Sequence, residues 1–271
     1  MVEFYGVLGE KLGHSLSPRI HNMIFEEIGV EGAYRLFEVP REKVEEFVSA
    51  MKLLKIKGVS VTIPYKSIIM KHLDVISPEA EKIGAVNTIA LDGEELHGYN
   101  TDYFGFGHLI ETNKVELEGK TVVVLGNGGV TKAVLQYLKD NKVNKIYIVS
   151  RTPENAKGIK EDNLEIISYN QLKNISGEVL INATPIGMFP NEDACPIEDE
   201  IISKYDTIVD LIYNPSKTIL MSKSEALGKK VVGGLNMLIG QGVRQQEIWQ
   251  KRRIDEQVIK DIYEILNREF S

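Results

Sequence analysis

Thiol chemistry is nearly absent from this chain, whose 271 residues include one cysteine, Cys195. An internal disulfide is therefore excluded, and such cysteine usage suits a reducing compartment. Histidine is sparse as well: the five histidines are scattered, at no spacing that holds a metal. No long basic run occurs and the formal net charge is −7, which argues against nucleic acid and anionic membranes as partners. No apolar stretch approaches the roughly 20 residues needed to cross a bilayer. The N-terminal MVEFYGVLGEKLG has no basic segment ahead of an apolar core, which argues against a signal peptide. Internal repeats and low-complexity segments are absent too. What is present is an ordinary globular composition, 43% hydrophobic and 26% charged, with enough residues for two domains. A soluble, cytoplasmic protein is expected.

Strand and helix patterns alternate from end to end. VEFYGVL reads as a strand, and Ser17-Pro18 as a helix start with Ser17 the N-cap and Pro18 the first helical residue. Ile20, Ile24 and Ile28 follow at helical spacing, with Gly29 as the stop. YRLFEV and GVSVTI read as strands, and the helix opened by Pro40 aligns Val44, Phe47, Val48 and Met51 on one face. YKSIIMKHL resembles another helical start, and AVNTIALDGEELHGYNTD a hairpin turned at Asp92-Gly93. A second series begins at Lys120: TVVVLG, KIYIVS, EVLINA, DTIVDL and KKVVGG are apolar runs separated by helix-length segments. The alternation predicts parallel sheets with right-handed crossovers and ligands at the strands' carboxyl ends. The boundary between the two series falls in the region 104–119. From Met237 onward the chain reads as helical, with Ile254, Val258 and Ile262 on one face.

The glycine turn in VVVLGNGGVTKA follows a strand and opens a helix, the context in which such a turn binds a dinucleotide. Gly126 and Gly128 permit the tight turn and the close approach of a pyrophosphate to the helix N-terminus, and Gly129 widens the loop. Thr131 stands where the usual third glycine would be. The next strand ends in Ser150-Arg151-Thr152, not in the acid that bonds an unphosphorylated ribose. An arginine and two hydroxyls suit a 2′-phosphate, although Ser150 or Thr152 would also serve as a helix cap before Pro153.

Polar residues gather just after the strands of the first series: Thr62 and Lys66 in VSVTIPYK, Asn87 in GAVNT, and Asn100, Thr101 and Asp102 in GYNTD. With Ser15 and Ser17 they form the kind of set that would bind a small, polyhydroxylated carboxylate, though any one of them is ordinary in a turn or on a surface. These motifs, S-L-S-P-R-I-H-N (15–22), V-T-I-P-Y-K (61–66), G-A-V-N-T (84–88), N-T-D (100–102), G-N-G-G (126–129), S-R-T (150–152), N-A-T-P-I-G-M (182–188), D-L-I-Y-N-P (210–215) and G-G-L-N-M-L-I-G-Q-G (233–242), resemble in order those of the shikimate dehydrogenases. The resemblance runs over essentially the whole chain.

The resemblance implies an NADP-dependent oxidoreductase that interconverts 3-dehydroshikimate and shikimate on the route to chorismate and the aromatic amino acids. It implies an α/β protein of two domains, with residues 1–103 binding substrate, 104–236 forming a Rossmann-type NADP domain, and 237–271 returning as C-terminal helices to the first. Lys66 and Asp102 would be the catalytic pair. Ser15 and Ser17 would bind the carboxylate with Tyr213 nearby, and Thr62, Asn87 and Gln241 the ring hydroxyls. Gly126, Asn127, Gly128 and Gly129 would cradle the pyrophosphate, and Ser150, Arg151 and Thr152 the 2′-phosphate, with Lys132 and Lys157 as further candidates. Thr184, Gly234 and Met237 would line the nicotinamide side. His21 and Asn22 would brace the carboxylate loop. The family allows a monomer or a homodimer. A quinate/shikimate dehydrogenase using NAD is the nearest alternative, and a catalytically silent metabolite-binding relative another; the silent relative should have lost Lys66 or Asp102, and both are here.

Overall fold

The structure, a computed structural model, describes residues 2–13, 15–153 and 163–270. By contacts the chain divides into two units, Met1–Phe106 with Ile239–Glu264, and Gly107–Leu238 with Ile265–Ser271. The divisions thus fall after Phe106 and Leu238, where the sequence suggested 103 and 236.

The first unit begins with β1 (Glu3–Gly9), α1 (Ser17–Ile28), β2 (Gly32–Glu38), α2 (Val44–Leu53) and β3 (Gly58–Val61). It continues through β4 (Val75–Ile76), α3 (Pro78–Ile83), the hairpin β5 (Thr88–Asp92) and β6 (Glu95–Tyr99), and the start of α4 (Asp102–Thr112). Its sheet has the order β2-β1-β3-β5-β6-β4. It is mixed, not parallel as the alternation predicted: β1 pairs in parallel with β2 and β3, whereas β5 runs antiparallel to both β3 and β6. The hairpin is the reason, because a short turn can only return a strand antiparallel. Asp92 pairs with Glu95, so the turn residues are Gly93 and Glu94, one later than expected. YKSIIMKHL forms only a short 3-10 turn over Ile69–His72. The Asp74 N–H bonds the Leu96 carbonyl and β4 pairs with β6, so the chain is drawn back to the sheet before a helix can extend. Alternation along β1 buries Leu8 with Val59, Val61, Ile89 and Leu96 under α2 on one face. Tyr5 and Val7 pack with Phe25 and Tyr34 on the other.

The second unit holds β7 (Thr121–Leu125), α5 (Gly129–Asp140), β8 (Lys145–Val149), β9 (Leu164–Ile167), α6 (Tyr169–Leu172) and β10 (Val179–Asn182). Then come α7 (Asp199–Ile202), β11 (Thr207–Asp210), α8 (Ile219–Ala226) and β12 (Lys230–Gly233). Its six strands, in the order β12-β11-β10-β7-β8-β9, are all parallel. That is the Rossmann order, whose direction of winding reverses between β7 and β10 and so opens a crevice at their carboxyl ends. Strand β9 adds an edge that the sequence reading omitted. Helices α9 (Leu235–Gln250) and α10 (Glu256–Phe270) close the chain; Ile254 lies in the connection between them, while Val258 and Ile262 are buried on α10.

Candidate active site

Lys66 and Asp102 meet. The Lys66 Nζ lies 2.5 Å from Asp102 Oδ2, with the lysine side chain 14% and the carboxylate 3% exposed. Each partner is set by its own backbone. Lys66 follows the buried Tyr65, and its carbonyl accepts the Val86 N–H at 2.7 Å, fixing the turn after β3 to the segment before β5. Asp102 opens α4, whose first N–H groups are held by the Asn100 side chain: Oδ1 accepts from Asp102 at 3.1 Å and from Tyr103 at 3.4 Å. Asn100 in turn donates to the Ala85 carbonyl at 2.9 Å, so a single amide ties the helix start to the lysine-bearing turn region. An ammonium with most of its surface covered and one charged partner is poised to meet developing negative charge.

Asn87 stands beside this pair. Its Oδ1 accepts the Thr101 N–H at 2.7 Å, one residue before Asp102, and its Nδ2 points to Gln241 Oε1 at 3.3 Å. Asn87 and Gln241 are therefore brought together across 154 residues of sequence. Thr62, partly buried at the end of β3, bonds through its backbone to the Leu8 and Tyr65 backbones.

The serine loop corrects the sequence reading. Leu16, in helical conformation, occupies the N-cap without a side-chain bond, and Ser17 lies inside α1. The capping hydroxyl is that of Ser15, whose Oγ accepts the Ser17 N–H at 3.3 Å. The Ser17 hydroxyl instead interacts with the Tyr34 phenol. Asn22 is exposed, whereas His21 is buried against α9. Ser15→Ala is therefore the variant expected to lose helix stability, by ~1 kcal/mol, with Ser17→Ala losing less. Urea unfolding of the two variants checks this, and equal losses would contradict it.

In the second unit β7 runs into the glycine turn. Gly126 has φ +98°, and a Cβ there would lie 2.9 Å from Thr184 Cγ2 and 3.1 Å from the Ala183 carbonyl oxygen. A side chain is thus excluded both by backbone conformation and by the close approach of the segment after β10. Gly128 is the N-cap of α5 with no side-chain cap, and a Cβ added to it would meet nothing within 4 Å. Asn127 is exposed beside it, and Gly129 is the first helical residue. A helix start with no side-chain cap and no acid in its first turn, opened by a glycine whose Cβ position is clear, fits a pyrophosphate. Thr131 is buried, and its hydroxyl donates to the Gly126 carbonyl at 3.2 Å, so the missing third glycine is replaced by a tie between helix and turn. At the end of β8 the buried Ser150 hydroxyl accepts the Thr152 N–H at 3.2 Å and shapes the turn that presents Arg151 and Thr152 to solvent. Lys132 is exposed on α5; Lys157 lies outside the described residues.

One group that sequence reasoning did not assign sits under this crevice. Asp210, fully buried at the end of β11, accepts from Asn182 Nδ2 (3.0 Å), the Ile212 N–H (3.1 Å) and the Thr218 hydroxyl (2.7 Å). Asn182 Oδ1 then receives the Thr184 N–H at 3.1 Å and its hydroxyl at 2.7 Å. Desolvation pushes the Asp210 carboxyl up to about 6 despite the three donors. Its position, an acid ending an apolar strand (TIVD), was the available signal. Tyr213, three residues on, is partly buried, and desolvation pushes its phenol up. Gly234 lies against the Leu211 backbone, where a Cβ would come within 2.3 Å of the carbonyl oxygen, and Met237 is buried at the start of α9. Cys195 is partly buried, and its thiol contacts the Ile197 carbonyl at 3.2 Å.

Residues 7–89 match a family model described as the shikimate dehydrogenase substrate binding domain, and residues 108–186 one described as shikimate / quinate 5-dehydrogenase. A shikimate dehydrogenase (NADP(+)) of Clostridium beijerinckii is 47% identical over 269 residues, covering 99% of this chain and 100% of that one. The crystal structure of shikimate dehydrogenase 1 from Peptoclostridium difficile aligns with a TM-score of 0.90 at 45% identity, covering 99% of each chain. The crystal structure of shikimate 5-dehydrogenase from Thermus thermophilus in complex with NADP(H) and shikimate aligns at 0.87 and 31% identity, covering 99% of this chain and 100% of that one.

Proposed function

The chain belongs to the shikimate dehydrogenase family, and on that premise we propose that it interconverts 3-dehydroshikimate and shikimate with NADP, using Lys66 and Asp102 as its catalytic pair. The observation that carries the residue assignment is the covered ammonium of Lys66 on the Asp102 carboxylate, 2.5 Å apart. NADPH, when bound, supplies the hydride that reduces the ketone. Lys66 donates a hydrogen bond to the carbonyl oxygen as charge builds there, and supplies its proton. In the reverse direction the Lys66 amine takes the proton from the hydroxyl. Asp102 keeps the ammonium aimed and offsets the cost of covering it. Ser15, Ser17 and the start of α1 receive the carboxylate through hydroxyls and the helix dipole. Asn87, Gln241 and Thr62 hold the ring oxygens. Retention of both Lys66 and Asp102 argues against a silent, ligand-sensing role.

The cofactor residues are read in the same way. Gly126, Asn127, Gly128 and Gly129 with the start of α5 hold the pyrophosphate, Thr184, Gly234 and Met237 the nicotinamide side. Ser150 shapes the turn that carries Arg151 and Thr152 to the 2′-phosphate. Arg151 is exposed, which leaves its fork available to that phosphate. A charge-assisted contact of this kind is worth roughly 1.5–3 kcal/mol, or one to two decades of affinity. The expected result is a kcat/KM preference for NADP over NAD of about ten-fold or more, carried mainly by KM and largely erased in Arg151→Ala. Initial rates with shikimate and quinate, each with NADP and NAD, test substrate and cofactor together; quinate turned over as fast as shikimate, or an unaltered NADP/NAD ratio in the variant, would overturn the respective assignment.

A further inference from the structure

The catalytic scheme gives His21 no part, yet this residue is buried on α1 with its ring stacked on Tyr34, centroids 4.2 Å apart. Both ring nitrogens bond to glutamines of α9: Nδ1 to Gln246 Nε2 at 2.9 Å, and Nε2 to Gln245 Oε1 at 3.0 Å. The direction of these bonds is fixed from outside. The Glu3 carboxylate can only accept, so the Tyr5 hydroxyl donates to it at 2.7 Å. Gln250 therefore turns its amide nitrogen to the Tyr5 oxygen (2.9 Å) and to Gln246 Oε1 (3.2 Å). Gln246 has only its NH2 left for His21, so Nδ1 accepts and Nε2 carries the proton. A protonated ring would set two donors face to face, and burial pushes the imidazole down to about 3.

The polarity then runs on toward the substrate residues. Gln245 receives the His21 N–H on Oε1, together with the Ser60 hydroxyl at 2.7 Å, and donates from Nε2 to Thr88 Oγ1 at 3.1 Å. Thr88, having accepted, donates to Asn87 Oδ1 at 2.8 Å. From the opposite side the Thr101 N–H, which can only donate, reaches the same Oδ1 at 2.7 Å. The two ends agree. Asn87 gives one N–H to Thr101 Oγ1 at 3.1 Å and turns the other toward Gln241.

We propose that His21 is a positioning residue for substrate recognition: acting through Gln245 and Thr88, it holds the Asn87 carboxamide with its NH2 toward Gln241, so that the N–H now on Gln241 Oε1 is the one offered to an oxygen of the ring substrate. The proposal rests on the assignment of Asn87 to that ring. A network in which every member is satisfied is stiff, and removing a link frees its neighbours to turn. Without the His21 N–H, the Gln245 oxygen keeps only the Ser60 hydroxyl, and the amide that orients Thr88 retains besides it only the longer bond from Nε2 to the Asn87 carbonyl, at 3.4 Å.

The test is steady-state kinetics of the full-length enzyme carrying His21→Phe, His21→Gln, Thr88→Val or Asn87→Ala, with thermal melting of each. His21→Phe keeps a ring against Tyr34 but removes both nitrogens; its shikimate KM should rise about ten-fold while the NADP KM stays within two-fold. His21→Gln retains a donor at the Nε2 position and should recover most of the shikimate KM. Thr88→Val breaks the last link with His21 in place and should raise the shikimate KM in the same way, which keeps the test decisive if His21→Phe does not fold. An unchanged shikimate KM in Thr88→Val, or in a folded His21→Phe with only the melting temperature lowered, overturns the proposal. Asn87→Ala separates the two readings: if it too leaves the shikimate KM unchanged, the assignment of Asn87 itself fails.

Discussion

Lys66→Ala is expected to lower kcat by about two to four orders of magnitude while the shikimate KM moves only a few-fold. General acid–base groups contribute about 10²–10⁴ in rate, and a group whose contact strengthens as charge develops acts on kcat before KM. Two decades correspond to about 2.7 kcal/mol of lost transition-state stabilisation. The substitution has a second consequence, because Asp102 is 3% exposed and would keep a buried charge without its partner. Breaking one side of a buried ion pair costs ~3–5 kcal/mol, so the variant should also melt lower, and rates must be normalised to folded protein. Asp102→Asn keeps an acceptor for the Lys66 ammonium, which loses its counter-charge but at 14% exposure reaches solvent more than Asp102 does, so it separates the two effects: kcat falls and stability changes less. The measurement is the initial rate of NADPH absorbance change with saturating shikimate and NADP. A folded Lys66→Ala that retains more than about a tenth of wild-type kcat, a loss under ~1.4 kcal/mol, would remove the lysine from the mechanism.

The parts of this architecture that were legible in sequence are those that one short segment dictates alone. A β-branched run, a glycine turn and an amphipathic helix lie side by side in VVVLGNGGVTKAVLQYL, and β7 and α5 form there for local reasons. The pairing of Lys66 with Asp102 is of another kind. It joins residues 36 apart through a turn, a hairpin and a helix start, and only resemblance to a family named the two together. The serine loop shows how narrow the margin is at a helix end: Leu16 takes helical dihedrals, so the capping hydroxyl shifts from Ser17 to Ser15. Gln245 and Gln246 were illegible for a plainer reason. In LIGQGVRQQEIW they look like a solvated face, and they are buried only because His21, Ser60 and Thr88 arrive from α1, β3 and β5 with matching donors and acceptors. The mixed first sheet was within reach, since the Asp92-Gly93 hairpin already implied an antiparallel pair.

Asp210→Ala should be the most destabilising single substitution in the second unit's polar layer, whereas Asp210→Asn should be at least as stable as wild type at neutral pH. Alanine would leave Asn182 Nδ2, the Ile212 N–H and the Thr218 hydroxyl buried without their acceptor. At about 1–3 kcal/mol for each stranded donor, a loss of about 3 kcal/mol or more is expected. Asparagine can keep its oxygen under Asn182 and Ile212 and turn its NH2 to the Thr218 oxygen, which already accepts the Met221 N–H at 3.2 Å. The pH dependence distinguishes this account from simple loss of packing. The carboxyl titrates near 6 in the fold against an ordinary 3.8, so between those values the folded protein binds more protons than the unfolded chain. This group's contribution is then most favourable below 3.8 and declines as pH rises through 6, by about 3 kcal/mol for a shift of this size. Asp210→Asn lacks that decline, so its stability relative to wild type should rise by a similar amount between pH 4 and 7. Because Asn182 carries Thr184, Asp210→Ala should also weaken NADP binding, measurable by cofactor fluorescence, while Asp210→Asn binds as wild type does. Urea unfolding of the three proteins at several pH values is the test. A loss under ~1 kcal/mol in Asp210→Ala, or a stability difference between Asp210→Asn and wild type that does not change with pH, would mean that the carboxylate neither holds this layer together nor carries the burial cost assigned to it.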